Sequence, residues 1–240
     1  MHHVVLEQWS RGRSVVHDLD ARAKSLVLLV FLVVITTTPP DAALQMLTYF
    51  GLLLVGLAAA CLPIPSVLAR ATVVLPFSAT FAAVSWLAGD RMRALGLVEK
   101  TYLSAIAVLL VAGTTPLPAL LNGFEALGVP RVLTSVVQFL YRYLFVISEQ
   151  AQHMRVAAAS RAGLRKSTRK SRFQLAAGAL GVLFARSYMR ADGIHRAMQS
   201  RGFRGRLPMG HPPHFRVADA AFAVAAIALV VGIRALPWTS

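Results

Sequence analysis

A chain of 240 residues with 56% hydrophobic and 15% charged residues lies far from the roughly 25% charged residues of an ordinary soluble domain, and a mean hydropathy of +0.60 excludes a soluble globule. The charge is equally lopsided: 25 Lys and Arg against 10 Asp and Glu leave a formal +15, which must be gathered somewhere rather than spread over a neutral surface. One cysteine, Cys61, excludes an intrachain disulfide and a cysteine-cluster metal site.

In chain order, residues 1–24 form a basic N-terminus with Arg11, Arg13, Arg22 and Lys24. Ser25 to Thr38 is apolar but short of the roughly 20 residues a span needs, so the helix is expected to start earlier and Lys24 to snorkel toward the headgroups. Pro39-Pro40-Asp41 ends this run without a small-residue cleavage site, so it is expected to stay in the mature protein. Ala42 to Cys61 is a second, charge-free span. Pro63 and Pro65 mark a turn, and Ser66 to Ala88 reads as a third span kinked at Pro76, with Val67 to Pro76 as an alternative re-entrant segment. Leu95 to Thr115, entered through Glu99 and Lys100, completes a four-helix transmembrane region over residues 25–115.

Residues 116–214 carry most of the charge, and Val217 to Leu236 supplies a fifth span within the closing segment 215–240. Between Arg131 and Arg206 lie 15 of the 25 basic residues and only two acids, Glu149 and Asp192. Basic segments face the cytoplasm, and five spans starting from a basic, cytoplasmic N-terminus put the C-terminus outside. Arg91 and Arg93, on an outer loop, are the misfit. The fold class expected is therefore an all-α integral membrane protein with about five transmembrane helices plus two long cytoplasmic amphipathic helices.

Those two helices can be read from spacing. From Pro130, a helix-start residue, Leu133, Val136, Val137, Leu140, Leu144 and Ile147 recur at three and four, and the pattern runs to Ser160-Arg161-Ala162-Gly163, where Gly163 can close the helix in the left-handed conformation. A second helix starts near Phe173 and finishes at Ser200-Arg201-Gly202, after a basic connection over residues 163–172. Both end in serine, arginine and a small residue. An arginine at a helix C-terminus is stabilised by the helix dipole by about 0.3–1 kcal/mol, and that alone could place it there. The sharper reading is that small neighbours let the tip enter a partner's groove, where the guanidinium takes a carboxylate with two hydrogen bonds.

At these residues the chain resembles the transmembrane T component of energy-coupling factor (ECF) transporters, and more narrowly the CbiQ family of the cobalt system. His17-Asp18-Leu19-Asp20-Ala21-Arg22-Ala23-Lys24 is similar to that family's opening; Arg186 to Phe203 is similar to its most distinctive stretch, and Ala157 to Gly163 to its first arginine motif. The motifs there are usually Ala-Arg-small, whereas here serine precedes both arginines. The resemblance implies that Ser160, Arg161, Ala162, Gly163, Ser200, Arg201 and Gly202 dock into a dimer of ATP-binding cassette ATPases (CbiO-like). It also implies a substrate-binding membrane protein (CbiM-like), with room for a small CbiN-like subunit, all in the inner membrane. ATP and magnesium would belong to the partner ATPase and no cofactor to this chain, which transmits motion for uptake, of cobalt(II) first and of nickel or a vitamin as the alternatives.

The residues fit no rival chemistry as well. Neither GxxxxGK[ST], nor HExxH, nor a nucleophile elbow occurs, so no catalytic residue is assigned. Met1-His2-His3 can chelate nickel or copper in a square plane, but nothing else converges on it, and His211-Pro212-Pro213-His214 reads as a rigid loop; no metal-binding residue is assigned. His153 is expected to pair with Glu149 one turn before it. Basic charge beside apolar spans points to anionic lipid headgroups rather than nucleic acid, since no stacking aromatics accompany it. A stand-alone permease or channel would need polar groups at mid-membrane, where the second and fifth spans offer only Thr48 and Gln45.

Overall fold

The computed structural model describes residues 9–10, 12, 14–40, 42–162, 168–203 and 216–235, with the side chains of Ala162 and Arg172 excepted. Every regular element among them is helical. The chain divides into two units, Met1–Val129 with Pro212–Ser240, and Pro130–His211.

In the first unit, α1 (Ala21–Thr37) begins four residues ahead of the apolar run because Asp20 caps it, its Oδ1 accepting the Arg22 N–H at 2.8 Å. The early start matches the sequence expectation; the position of Lys24 does not. Lys24 is 4% exposed, and its Nζ donates inward to the carbonyls of His17 (3.3 Å) and Thr114 (3.2 Å) and to Thr115 Oγ1 (3.2 Å). Three acceptors in one place outbid the headgroup layer, so the ammonium does not snorkel.

The second helix, α2 (Ala43–Ala59), is apolar and uncapped by a side chain. At 17 residues, α1 and α2 each rise about 25 Å, somewhat less than the roughly 30 Å hydrocarbon core. The third span is built from α3 (Ile64–Ala71), a 3-10 turn over Thr72–Val74 and α4 (Leu75–Leu87). Pro76 has no N–H for the Thr72 carbonyl, and Leu75 N–H takes that carbonyl instead, which is why the tighter turn falls there. The helix then continues, so Ile64–Leu87 is long and apolar enough to cross a membrane and does not turn back as the re-entrant alternative required.

Helix α5 (Arg91–Thr114) is capped by Asp90, which accepts the Arg93 N–H at 3.1 Å. The misfit arginines find local partners: Arg93 pairs with Asp90 at 3.2 Å, and Arg91 lies over the Trp86 ring at 5.1 Å. A short helix not foreseen from the sequence, α6 (Leu117–Ala126), packs on α1, with Gly123 so close to Ala21 that a Cβ would sit 3.3 Å from the alanine's own. The core lies where α1, α2, α3 and α5 meet around Ile35, Tyr49, Leu57, Val67 and Ile106, all fully buried. Tyr49 stacks edge-on against Phe31 and donates to the Val230 carbonyl at 3.3 Å, tying α2 to the last helix.

That last helix of the first unit, Val217–Ala235, runs beside α1. Its buried Asp219 accepts the Arg216 N–H with Oδ2 and, from across the fold, the Asp20 N–H with Oδ1, both at 2.9 Å. One carboxylate thus caps its own helix and holds the start of α1 at the same level.

The second unit consists of α7 (Arg131–Ala162) and α8 (Arg169–Ser200), each 32 residues and so about 48 Å long. With the earlier helices numbered, Val217–Ala235 is α9. The hairpin is antiparallel: Phe139, Leu140 and Tyr143 on α7 share a crevice of about 400 Å³ with Ile194, Met198 and Phe203 at the far end of α8. Leu133, Val136 and Leu140 form the expected stripe on α7, yet all three are exposed within this chain.

Among the described residues, four helices have the length and composition to span a membrane: Ile64–Leu87, Arg91–Thr114, Arg131–Arg161 and Val217–Ala235. The third of these falls in the basic segment, where no span was expected. Its first half is apolar enough to qualify despite Arg142, whose guanidinium lies over the Tyr143 ring at 6.0 Å.

Candidate coupling site: two arginine helix ends

The arginine of α7 stands one residue before the helix's last, Ala162. Arg161 is exposed, and its guanidinium makes no hydrogen bond or ion pair with any described residue. Ser160 turns its hydroxyl back to the Val156 carbonyl at 3.1 Å, which removes it from the surface as a polar partner. Gly163 and the connection over residues 163–167, including Arg165 and Lys166, lie outside the described residues.

The end of α8 shows why its sequence stops there. Arg201 is the C-cap, and Gly202 takes the left-handed conformation with φ +78°. The Gly202 N–H reaches the Gln199 carbonyl at 2.9 Å, and the Phe203 N–H reaches the Met198 carbonyl at 3.0 Å. These two bonds are those of a Schellman motif, and Met198 and Phe203, the positions such a motif commonly fills with apolar residues, both line the crevice against α7. Ser200 donates to Ala197 O at 2.9 Å, as Ser160 does on α7. The arginine is left exposed at the tip, its guanidinium again without a described partner.

Gly202 was singled out as a small neighbour; its backbone angle supplies a second reason for it. No atom lies within 4 Å of a Cβ built there, so Gly202→Ala should cost only the left-handed strain, about 1 kcal/mol. The expected result is faster amide exchange over Met198–Phe203 with the rest of α8 unchanged.

The two arginines are not brought together. Because the end of α8 lies against α7 near Phe139, and Arg161 is 22 residues further along α7, the tips stand on the order of 33 Å apart. Their electrostatic setting is one-sided. Asp192 is already paired with Arg196 at 2.6 Å, and His195 bonds to Gln199 at 3.0 Å. The expected Glu149–His153 bond is not made; the pairing one turn apart occurs on α8 instead. Among the described residues no group of three or more His, Cys, Asp or Glu side chains is placed to hold a metal ion. Sequence reading missed the backbone closure from Phe203 to Met198, although Gly202 followed by an apolar residue was its signal.

Span-length apolar helices in one unit and a basic helical hairpin in the other make this an all-α, multi-pass membrane protein. The model of the cobalt transport protein family, CbiQ, matches residues 12–212, and the chain belongs to that family. It is 35% identical over 105 residues to an uncharacterized protein of Methanocaldococcus jannaschii, covering 43% of this chain and 38% of the relative. It is 30% identical over 97 residues to the cobalt transport protein CbiQ of Rhodobacter capsulatus, covering 40% and 39%. A second uncharacterized protein of Methanocaldococcus jannaschii matches at 27% over 113 residues, 47% and 38%. The chain thus spans about two fifths of the length of the curated relatives it matches.

Proposed function

We propose that this chain is the transmembrane scaffold and coupling subunit of an ECF-type importer, and that its cargo is cobalt(II). The observation that carries the reading is the pair of exposed guanidiniums, neither with a partner among the described residues, at the ends of two 32-residue helices. Two tips some 33 Å apart suit two separate receptors, as a dimer of ATPases offers. A segment with 15 basic residues and two acids calls for an acidic partner. Closure of the ATPases on ATP would draw the tips, the long helices would act as levers, and the membrane partner would receive the motion. ATP, magnesium and hydrolysis belong to the ATPases. The cobalt assignment is supported by the family and by the relative from Rhodobacter capsulatus.

The test is to recover the tagged full chain from its native membranes. The expected result is an ATP-binding cassette pair and a membrane partner in the same particle, with ATP-dependent cobalt uptake after reconstitution. Cobalt passage by the chain alone, without ATP, would make it a stand-alone permease.

The orientation proposed puts the N-terminus and the basic segment in the cytoplasm of an inner membrane. With Cys61 replaced, Thr168→Cys should react with an impermeant thiol reagent only in inverted vesicles and Ser240→Cys only from outside. The reversed pattern, Thr168→Cys reached only from outside and Ser240→Cys only in inverted vesicles, would show that Arg131–Arg161 adds a sixth crossing.

A further inference from the structure

Within the first unit a crevice of about 390 Å³ lies between α1, α2, α5 and α9. It exists because small residues face one another at that depth: Gly56 and Ala59 on α2, Ala107 on α5, Ala225 and Ala226 on α9. At one end it stops at Phe31 and Val230, where the Tyr49–Val230 hydrogen bond joins α2 to α9. At the other it reaches Lys24 and Thr114. Val55 and Leu229, exposed on α2 and α9, mark the side on which it opens.

Water has little to hold it there. The three protons of Lys24 already have three acceptors, and the Thr114 hydroxyl is given to the Leu110 carbonyl at 2.8 Å. The other walls are hydrocarbon, while a buried water needs two to four polar partners. From Phe222 to Val230, α9 rises about 12 Å, close to the roughly 15 Å hydrocarbon depth of one leaflet. The charge at the mouth is mixed. Arg216 stands exposed at the start of α9, which Asp219 holds level with the start of α1, and Arg22 is half-buried beside Asp20, its Nε 3.9 Å from the carboxylate.

We propose that this crevice binds one acyl chain of a phospholipid from the leaflet at the N-terminal end of α1, with the phosphate at the level of Arg22 and Arg216. The proposal rests on the membrane-spanning reading of the bundle and is independent of the coupling role. The chain fills the gap between α2 and α9, and the exposed Arg216 takes the phosphate of the headgroup.

The test places the full chain in nanodiscs of phosphatidylglycerol and phosphatidylethanolamine doped with a phospholipid whose acyl chain carries a photoreactive diazirine. Adducts should concentrate on Gly56 and Ala226 and be scarce on outward-facing Val33 and Val231. Ala226→Trp, which fills the crevice, should lose the wall adducts and keep the outer ones, and Ala59→Leu should do the same from α2 if the tryptophan variant fails to fold. Equal labelling of walls and exterior, or wall adducts that survive both variants, would reduce the site to ordinary surrounding lipid and overturn the proposal. A diazirine fatty acid without phosphate should label the walls several-fold less; equal labelling would overturn the headgroup assignment. In the intact complex, wall adducts to a partner protein in place of lipid would mean that a partner's helix fills the crevice. Failure here would leave ATP-driven uptake untouched, so it is distinguishable from failure of the coupling role.

Discussion

Replacing Arg161 and Arg201 together with alanine should abolish ATP-driven cobalt uptake by the assembled transporter, while the membrane partner stays bound. Each guanidinium is read as ending in a carboxylate-lined groove, and truncating one member of such a desolvated pair costs about 2–5 kcal/mol, or roughly 30-fold to several thousand-fold in affinity. One loss leaves the other lever engaged, so single variants should retain partial uptake. Lysine should rescue poorly, because it keeps the charge but not the planar fork. Neutralising Arg165, Lys166, Arg169 and Lys170 is the control, since a general attraction to lipid or to an acidic surface would depend on those residues as much. Normal uptake by the double variant, or equal damage from neutralising the connection, would leave charge alone as the explanation and remove the docking role. ATPase activity measured in the same particles separates loss of assembly from loss of coupling.

The second large effect is expected at the N-terminal end of the bundle. Lys24→Met keeps most of the side-chain volume but strips a buried donor from two carbonyls and a hydroxyl on two chain segments, residues 17 and 114–115. Hydrogen bonds to charged groups contribute about 1.5–3 kcal/mol, and in a chain of this size that corresponds to a fall of about 3–12 °C in melting midpoint. Asp20, whose Oδ2 is buried without a hydrogen-bond partner among the described residues, keeps the Arg22 guanidinium at 3.9 Å in the variant but loses the field of the ammonium. Asp219→Ala should act in the same direction by leaving the Asp20 and Arg216 N–H groups unpaired, and Asp219→Asn should recover part of the loss through its remaining acceptor. Lys100→Met is the comparison: its Nζ caps the Thr36 and Thr38 carbonyls from a half-buried position that water can partly replace. A midpoint for Lys24→Met within a degree of the parent would mean that the ammonium reaches the headgroups after all.

Much of this molecule was legible without coordinates. Five apolar runs became α1, α2, the α3–α4 pair, α5 and α9 within a few residues, because hydropathy reports burial in lipid wherever the run is long enough. One helix end was legible too: Ser-Arg-Gly closes α8 because glycine reaches a positive φ without cost, whereas the caps Asp20 and Asp90 were not read from the sequence. Composition missed what depends on neighbours distant in sequence. Lys24 was read as snorkelling because its acceptors Thr114 and Thr115 lie about ninety residues away, and no local signal announces them. Asp219 drew no reading from the sequence, and only the packing of α9 on α1 makes it the clasp of both.

The same division holds at the candidate site. The sequence alone determines that two amphipathic helices end in arginine beside small residues, since spacing and capping are local properties of each helix. The tertiary structure decided that the hairpin is antiparallel and that the two arginines point from opposite ends of it, because direction and register come from which apolar side chains meet across α7 and α8. It also decided which part of the α7 stripe α8 covers: Ile147 is half-buried in the crevice between them while Leu133 and Val136 stay exposed, as burial is a property of the packed molecule and not of the pattern that makes it possible.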